Sequence, residues 1–273
     1  MPNSDATPRL TDTTALARNR ARANALFLQE VARDEIKDRL ELVNKTFLTP
    51  AIVAAFPKVW HGAITNALVV PETDVLPLTV GAHDLVIHSL GLHWANDPVG
   101  QLIQCRRALK PDGMLLAVAL GGQTLHELRS VLAQTEVSVT GGLSPRVAPM
   151  GEVRDLGALL QRAGLALPVA DTVALTVRYQ SMWHLMRDLR AMGEGNALHT
   201  RLRHPTRPSV LKEAANLYFD TFAHCDGGIT ATFELIVLTG WAPDDSQPKP
   251  LRPGSAQARL ADALRTDETS LPD

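Results

Sequence analysis

Between residues 83 and 120 the hydrophobic and polar positions divide the chain into clear elements. His83-Asp-Leu-Val-Ile-His-Ser89 is a short, mostly apolar run, the pattern of a strand buried on both faces. Asp97-Pro98 then offers an N-cap and a proline in the first helical turn, and helical spacing follows to Leu109. Lys110-Pro-Asp-Gly113 reads as a turn, and residues 114–120 as a second buried strand. Strand, helix and strand predict a right-handed βαβ unit with parallel strands. Downstream, residues 123–134, 152–163, 181–192 and 211–224 are spaced as helices, while 171–179 and 230–239 alternate as strands. Upstream, Thr11-Asp12 can cap a stretch over residues 13–46 with apolar positions at Leu16, Leu26, Phe27, Val31, Ile36, Leu40 and Val43. That stretch reads as one helix or two in tandem. Pro50 ends it, residues 51–56 suit a buried strand, and residues 63–70 fit helix or strand equally.

The pattern predicts an α/β protein in three parts. An N-terminal helical segment spans 1–47. An α/β domain spans 48–241, with a helical insertion at about 181–224. A proline-rich tail spans 242–273 and contains a short amphipathic stretch at 257–264.

Composition narrows the function. The 273 residues are 45% hydrophobic, ample for a core, and 27 basic residues against 29 acidic ones leave a net charge of −2. That balance gives no general affinity for nucleic acid or anionic membrane, and 4% aromatic content is poor for stacking bases. No apolar run reaches the ~18 residues of a membrane span. Arg9, Arg18, Arg20 and Arg22 give the N-terminus a superficial likeness to a targeting peptide, but Asp5 and Asp12 interrupt it. Cys105 and Cys225 form no disulfide framework and fit a reducing, cytoplasmic setting. Serine-hydrolase elbows, Walker loops and zinc-ligand motifs are absent.

Several blocks carry a resemblance. They include Asp84-Leu-Val-Ile-His-Ser-Leu-Gly-Leu-His-Trp-Ala-Asn-Asp97, Leu109-Lys-Pro-Asp-Gly113 and Gly121-Gly-Gln-Thr-Leu-His-Glu-Leu-Arg129. Gly141-Gly-Leu-Ser-Pro-Arg146, Asp155-Leu-Gly-Ala-Leu-Leu-Gln-Arg-Ala-Gly164 and Leu185-Met-Arg-Asp-Leu-Arg-Ala-Met-Gly193 complete them. Together they resemble class I S-adenosylmethionine methyltransferase-like proteins, close to the malonyl-ACP methyltransferases of biotin synthesis and the methyltransferase-fold assembly factor of mitochondrial complex I. The resemblance implies a Rossmann-like sheet closed by an antiparallel strand at 230–239, with ligands beyond the carboxyl ends of the strands. It implies a cofactor site at Asp74, Val75, Leu76, Ser89 and Leu90. It implies a substrate pocket at His93, Trp94, Gly121, Gly122, Ser144 and Arg146. It also implies S-adenosylmethionine as cofactor and a protein or carrier-protein substrate, with a complex I subunit among the candidates. The chemistry implied is methyl transfer or the arginine hydroxylation attributed to the mitochondrial relative. A non-catalytic scaffold of the same fold is the alternative.

The chain departs from that pattern upstream. Its first 61 residues contain no glycine, so the turn after the first strand, within residues 48–60, lacks the residue that lets backbone approach a cofactor. Counting both ends, 83 − 47 + 1 = 37 residues join Phe47 to His83, too few for the full set of βα units at ~30 residues each. We therefore expect a sheet reduced by one βα unit and weak or absent binding of S-adenosylmethionine. His83, His88 and His93 span ~33 Å on an extended strand and cannot share one metal. Gly141-Gly142 with Arg146 reads either as an anion-binding nest or as a tight interhelix loop whose arginine pairs with a surface carboxylate. Met182, Met186 and Met192 read as core packing.

Overall fold

The computed structural model describes residues 9–248, with 262 and 266. The chain divides into two units, Met1–Pro243 and Asp244–Asp273. In the second, the Asp244 carboxylate accepts from the amide and hydroxyl of Ser246 at 2.9 and 2.6 Å. The amphipathic stretch expected at 257–264 lies outside the described residues, apart from 262.

The first unit is built on one six-stranded sheet. Its strands are β1 (Pro50–Ala54), β2 (Leu68–Val70), β3 (His83–Ser89), β4 (Leu109–Leu120), β5 (Ala166–Tyr179) and β6 (Ile229–Trp241), in the order β2-β1-β3-β4-β6-β5. The pairs from β2 to β4 are parallel, and β6 runs antiparallel between β4 and β5. Seven helices surround it: α1 (Thr13–Arg20), α2 (Phe27–Leu42), α3 (Pro98–Ala108), α4 (His126–Thr140), α5 (Val153–Arg162), α6 (Met182–Ala191) and α7 (Pro208–Phe222). This is the Rossmann-like α/β architecture expected, with both sheet faces covered.

Alternation along the strands sorts the core. Leu85 and Ile87 join Ile36 of α2, Leu116 of β4, Leu128 of α4 and Phe233 of β6 on one face. Val86, offset by one residue, joins Leu102 and Cys105 of α3, Leu115 and Leu160 on the other. Burial pushes the Cys105 thiol up to about 12, which makes it an inert packing group. Met182 and Met192 are core, as their pattern suggested.

Three local outcomes differ from the sequence reading or refine it. Residues 109–113 do not leave the sheet: His83 pairs with Leu109, and the register shifts before Leu85. The turn residues instead form an irregularity inside β4, with Asp112 at φ 55°. The N-terminal stretch is two helices. Asp12 caps α1 by accepting from Ala15, and the link to α2 donates Asn24 and Ala25 amides to the Ala191 carbonyl rather than continuing the helix. Gly193, at φ 82°, permits that approach, since a Cβ there would lie 3.1 Å from Arg20 Cα. Finally, β1 and β2 are joined through residues 55–67 by a 3-10 turn, Pro57–Trp60, with no α-helix between them. A parallel crossover of about a dozen residues is near the minimum.

Candidate functional site

The carboxyl ends of β1, β3 and β4 converge where an open α/β sheet places ligands. After β1, Ala54 is buried, Phe56 is 8% exposed and Trp60 is 1% exposed. Their side chains belong to the core on that face of the sheet, and no glycine stands among residues 48–60 to let backbone approach a cofactor.

The glycines after β3 and β4 are covered as well. A Cβ on Gly91 would overlap the Glu72 carboxylate, one on Gly121 would overlap Glu234, and one on Gly122 would overlap Glu152. Glu72 is in turn paired with Arg20 of α1 at 3.1 Å, with side chains 9% and 12% exposed. Glu234 accepts from the Gln123 amide at 3.0 Å. The absent Cβ atoms thus make room for carboxylates of this same chain.

The segment 72–76 is strapped to α3. Gln101 donates to the carbonyls of Thr73 and Asp74, and Gln104 both donates to the Asp74 carbonyl and accepts from the Leu76 amide. Asp74 and Val75 are exposed, whereas Leu76 is in the core. Ser89 and Leu90 are buried, and Leu90 adopts φ 44° as the chain leaves β3. The expected cofactor residues are therefore split between surface and interior.

Beyond them the chain keeps an open cavity of about 590 Å³. Leu128 and Leu132 of α4, Met186 and Leu189 of α6, Leu211 of α7 and Phe233 of β6 give it an apolar wall. Trp94, Arg146, Arg190 and Glu194 supply polar atoms. Arg146 is committed to Glu136 through Nε at 3.0 Å and Nη2 at 2.6 Å, and to Thr206 through Nη1 at 2.7 Å. Ser144 adds its amide at 3.0 Å and its hydroxyl to the same carboxylate. So the Gly141–Arg146 loop does bind an anion, and the anion is Glu136. Burial opposes ionisation of Glu136, but Arg146 and Ser144 outweigh it and hold this carboxyl below its ordinary range.

His93 and Trp94 form a second cluster with Glu194. Trp94 Nε1 donates to Glu194 Oε2 at 2.7 Å, and His93 Nε2 lies 3.4 Å from the same oxygen. Burial again disfavours the Glu194 anion, yet the bond from His93, the charge of Arg20 and the bond from Trp94 hold its carboxyl below the usual range. The three histidines go to separate places, as their spacing required. His83 meets the Thr49 carbonyl, and buried His88 meets Gln101. Among the described residues, Arg20 Nε and Nη2, His88 Nδ1, Ser89 Oγ, His93 Nδ1 and Gln29 Oε1 are buried with no hydrogen-bond partner.

Of the expected pocket residues, Trp94 and Arg146 line the large cavity, and His93 lines a smaller void beside it. Gly121, Gly122 and Ser144 support neighbouring carboxylates instead. Sequence reasoning missed Arg20, Gln29 and Glu194. Glu194 had a visible signal: it directly follows the Met192-Gly193 end of a resemblance block. The one metal-compatible trio among the described residues is His224, Cys225 and Asp226, whose ligand atoms lie within 4.8 Å of one another. There the Asp226 amide donates to His224 Nδ1 at 3.1 Å, so the trio closes its own turn.

Comparison with known proteins follows the same outline. Residues 52–117 match the family described as methyltransferase domain. The arginine-hydroxylase NDUFAF5, mitochondrial, of Danio rerio is 37% identical over 232 residues, covering 84% of this chain and 72% of the relative. The Homo sapiens protein of that name is 37% identical over 216 residues, covering 79% of this chain and 62% of its own length. The malonyl-[acyl-carrier protein] O-methyltransferase of Laribacter hongkongensis is 34% identical over 177 residues, covering 65% of this chain and 57% of its own length. Among solved structures, a methyltransferase-class protein from Bacillus halodurans aligns at 12% identity with a TM-score of 0.49, covering 77% of this chain and 98% of that one. Among the described residues no helix is long and apolar enough to cross a membrane.

Proposed function

Because this chain belongs to the methyltransferase-fold family that includes arginine-hydroxylase NDUFAF5, we propose that it engages a protein or carrier-bound substrate in its open cavity, without a working S-adenosylmethionine cradle. It then acts as a binding or assembly protein of that fold. One observation carries this reading: the segment after β1 buries Phe56 and Trp60 in the core and contains no glycine before Gly62. A cofactor placed there would lack backbone donors, each worth ~1–3 kcal/mol when it meets a charged group. Losing two or three weakens binding by ~10²–10⁵-fold. The named activities of the relatives, on arginine and on malonyl-[acyl-carrier protein], support a macromolecule-borne partner, and a complex I subunit is the candidate to test first. Two free cysteines, one buried and one exposed, support a reducing, cytoplasmic setting.

Titration calorimetry with S-adenosylmethionine and S-adenosylhomocysteine tests the proposal. We expect no saturable heat; low-micromolar affinity would overturn it. A second reading, S-adenosylmethionine-dependent transfer, has its own support in the orphaned polar atoms of Arg20, His88 and Ser89, which a polar guest would satisfy. Under that reading a saturating cofactor at 100 times its Kd adds ~2.7 kcal/mol of stability, and Asp74→Ala removes the gain. Pull-down of partners followed by mass spectrometry of modified residues separates binding from chemistry.

A further inference from the structure

Beside the cavity lies a void of about 10 Å³ whose lining includes Gln29, His93 and Glu194. It shares Leu28, Leu120 and Glu194 with the lining of the cavity, so the two spaces adjoin. We propose that this void is a subsite for a primary ammonium group carried by a ligand seated in the cavity. The proposal deepens the reading above, since it rests on the cavity being the place where a partner is engaged.

Three acceptors line the void and lack donors. Gln29 is 5% exposed and its Oε1 has no partner. The His93 side chain is 1% exposed; with Nε2 turned to Glu194, its Nδ1 has no partner either. Glu194 receives both of its hydrogen bonds on Oε2, which leaves Oε1 without one among the described residues. Three oxygen or nitrogen acceptors thus go unfilled, against one donor group in the set, the Gln29 amide nitrogen. Glu194 is held ionised, so the local charge favours a cation. Arg20, whose charge also acts on Glu194, directs its hydrogen bond to Glu72.

Size and valence then choose among cations. About 10 Å³ is one water-sized probe. An ammonium head is of that size, whereas a planar guanidinium with three nitrogens is not. Ammonium brings three N–H donors for three acceptors, and a water brings two. Potassium would match the charge but supplies no hydrogen for His93 Nδ1. Partners of the right class are therefore a lysine side chain or another ligand ending in a primary amine.

The test uses the whole protein labelled with ¹⁵N-histidine, the His93 ring signals being assigned by their loss in His93→Gln. Ammonium and methylammonium chloride are titrated against potassium, guanidinium and tetramethylammonium chlorides at equal ionic strength. We expect a saturable shift of His93 Nδ1 with the first two salts alone, and Glu194→Gln and Gln29→Leu each to weaken it by about tenfold or more. Gln29→Met, closer in shape, serves if Gln29→Leu loses its folded circular-dichroism spectrum. No saturable shift, an equal response to potassium or tetramethylammonium, or unchanged affinity in the folded variants would each sink the subsite. A positive S-adenosylmethionine titration removes the reading of the previous subsection and leaves this one standing; a wild type blind to ammonium does the reverse.

Discussion

The strand ends and the cavity next to them are made from similar residues and behave oppositely. At Gly91, Gly121 and Gly122 the space left by a missing Cβ is taken up by Glu72, Glu234 and Glu152. The Gly141–Arg146 loop likewise closes on Glu136. A few side chains away, α4, α6 and α7 hold a cavity of about 590 Å³ open. The difference lies in what keeps the walls apart. A strand-end glycine clears only one side chain's worth of room, and a flexible glutamate on a neighbouring segment can reach it. The cavity is bounded by several helices whose own packing fixes their separation, so no single residue can fill it. Glycine at a ligand-binding position therefore identifies available room, and the reach of nearby side chains decides who occupies it.

The largest expected effect breaks the closed region. Glu136→Ala strips the partner from Arg146, whose side chain is 15% exposed. Losing one member of a buried pair costs ~3–5 kcal/mol, and urea unfolding measures it. A loss near zero would mean the Gly141–Arg146 loop is no more closed than the cavity. Arg20→Met should cost less, ~1–2 kcal/mol, because it removes one hydrogen bond to Glu72 while also removing two buried, unpartnered N–H groups. In the open region the sign reverses. Met186→Phe adds volume to the cavity wall and should gain ~0.5–1 kcal/mol; a clear loss would show that the space is already committed.

The smallest effect is in the pH dependence. Burial holds the His88 pKa below its ordinary 6.5, so the folded state refuses a proton that the unfolded chain accepts. Its contribution is whole above pH 6.5 and declines as pH falls below that value. Glu136 and Glu194 are depressed carboxyls, so their contributions are whole above about 4.5 and fall away below it. Thermal melts from pH 7 to 3 should show both limbs. Glu136→Gln should flatten only the lower one; a flattening above pH 5 would contradict the assignment.

How much of this the chain displayed in advance depended on range. The unit β3-α3-β4 was legible because its period and its Asp97-Pro98 cap are local. The short link between β1 and β2 was legible from length alone. The extent of β4 was not, because Lys110–Gly113 carries genuine turn residues and is held by distant partners, Leu109 by His83 of β3 and Asp112 and Gly113 by the backbone of Ala242. Arg146 was legible as an anion binder with a surface carboxylate as one of two candidate partners, but that the partner is the buried Glu136 was not. Glu194 was marked only by its place after Met192-Gly193, since its role comes from His93 and Trp94 about a hundred positions earlier. Gln29 did too, because an amide inside an amphipathic helix looks solvated until its neighbours are placed.

The strand order has a bearing on how the molecule is made. β6 is nearly the last segment of its unit to leave the ribosome, yet it lies between β4 and β5. Until it arrives, β4 presents one long unpaired apolar margin and β5 another. A nascent chain stopped before Ile229 would expose both at once, so the dangerous interval for self-association falls late in synthesis. Ribosome-stalled chains ending just before and just after residues 229–241 should therefore differ sharply in solubility and protease resistance.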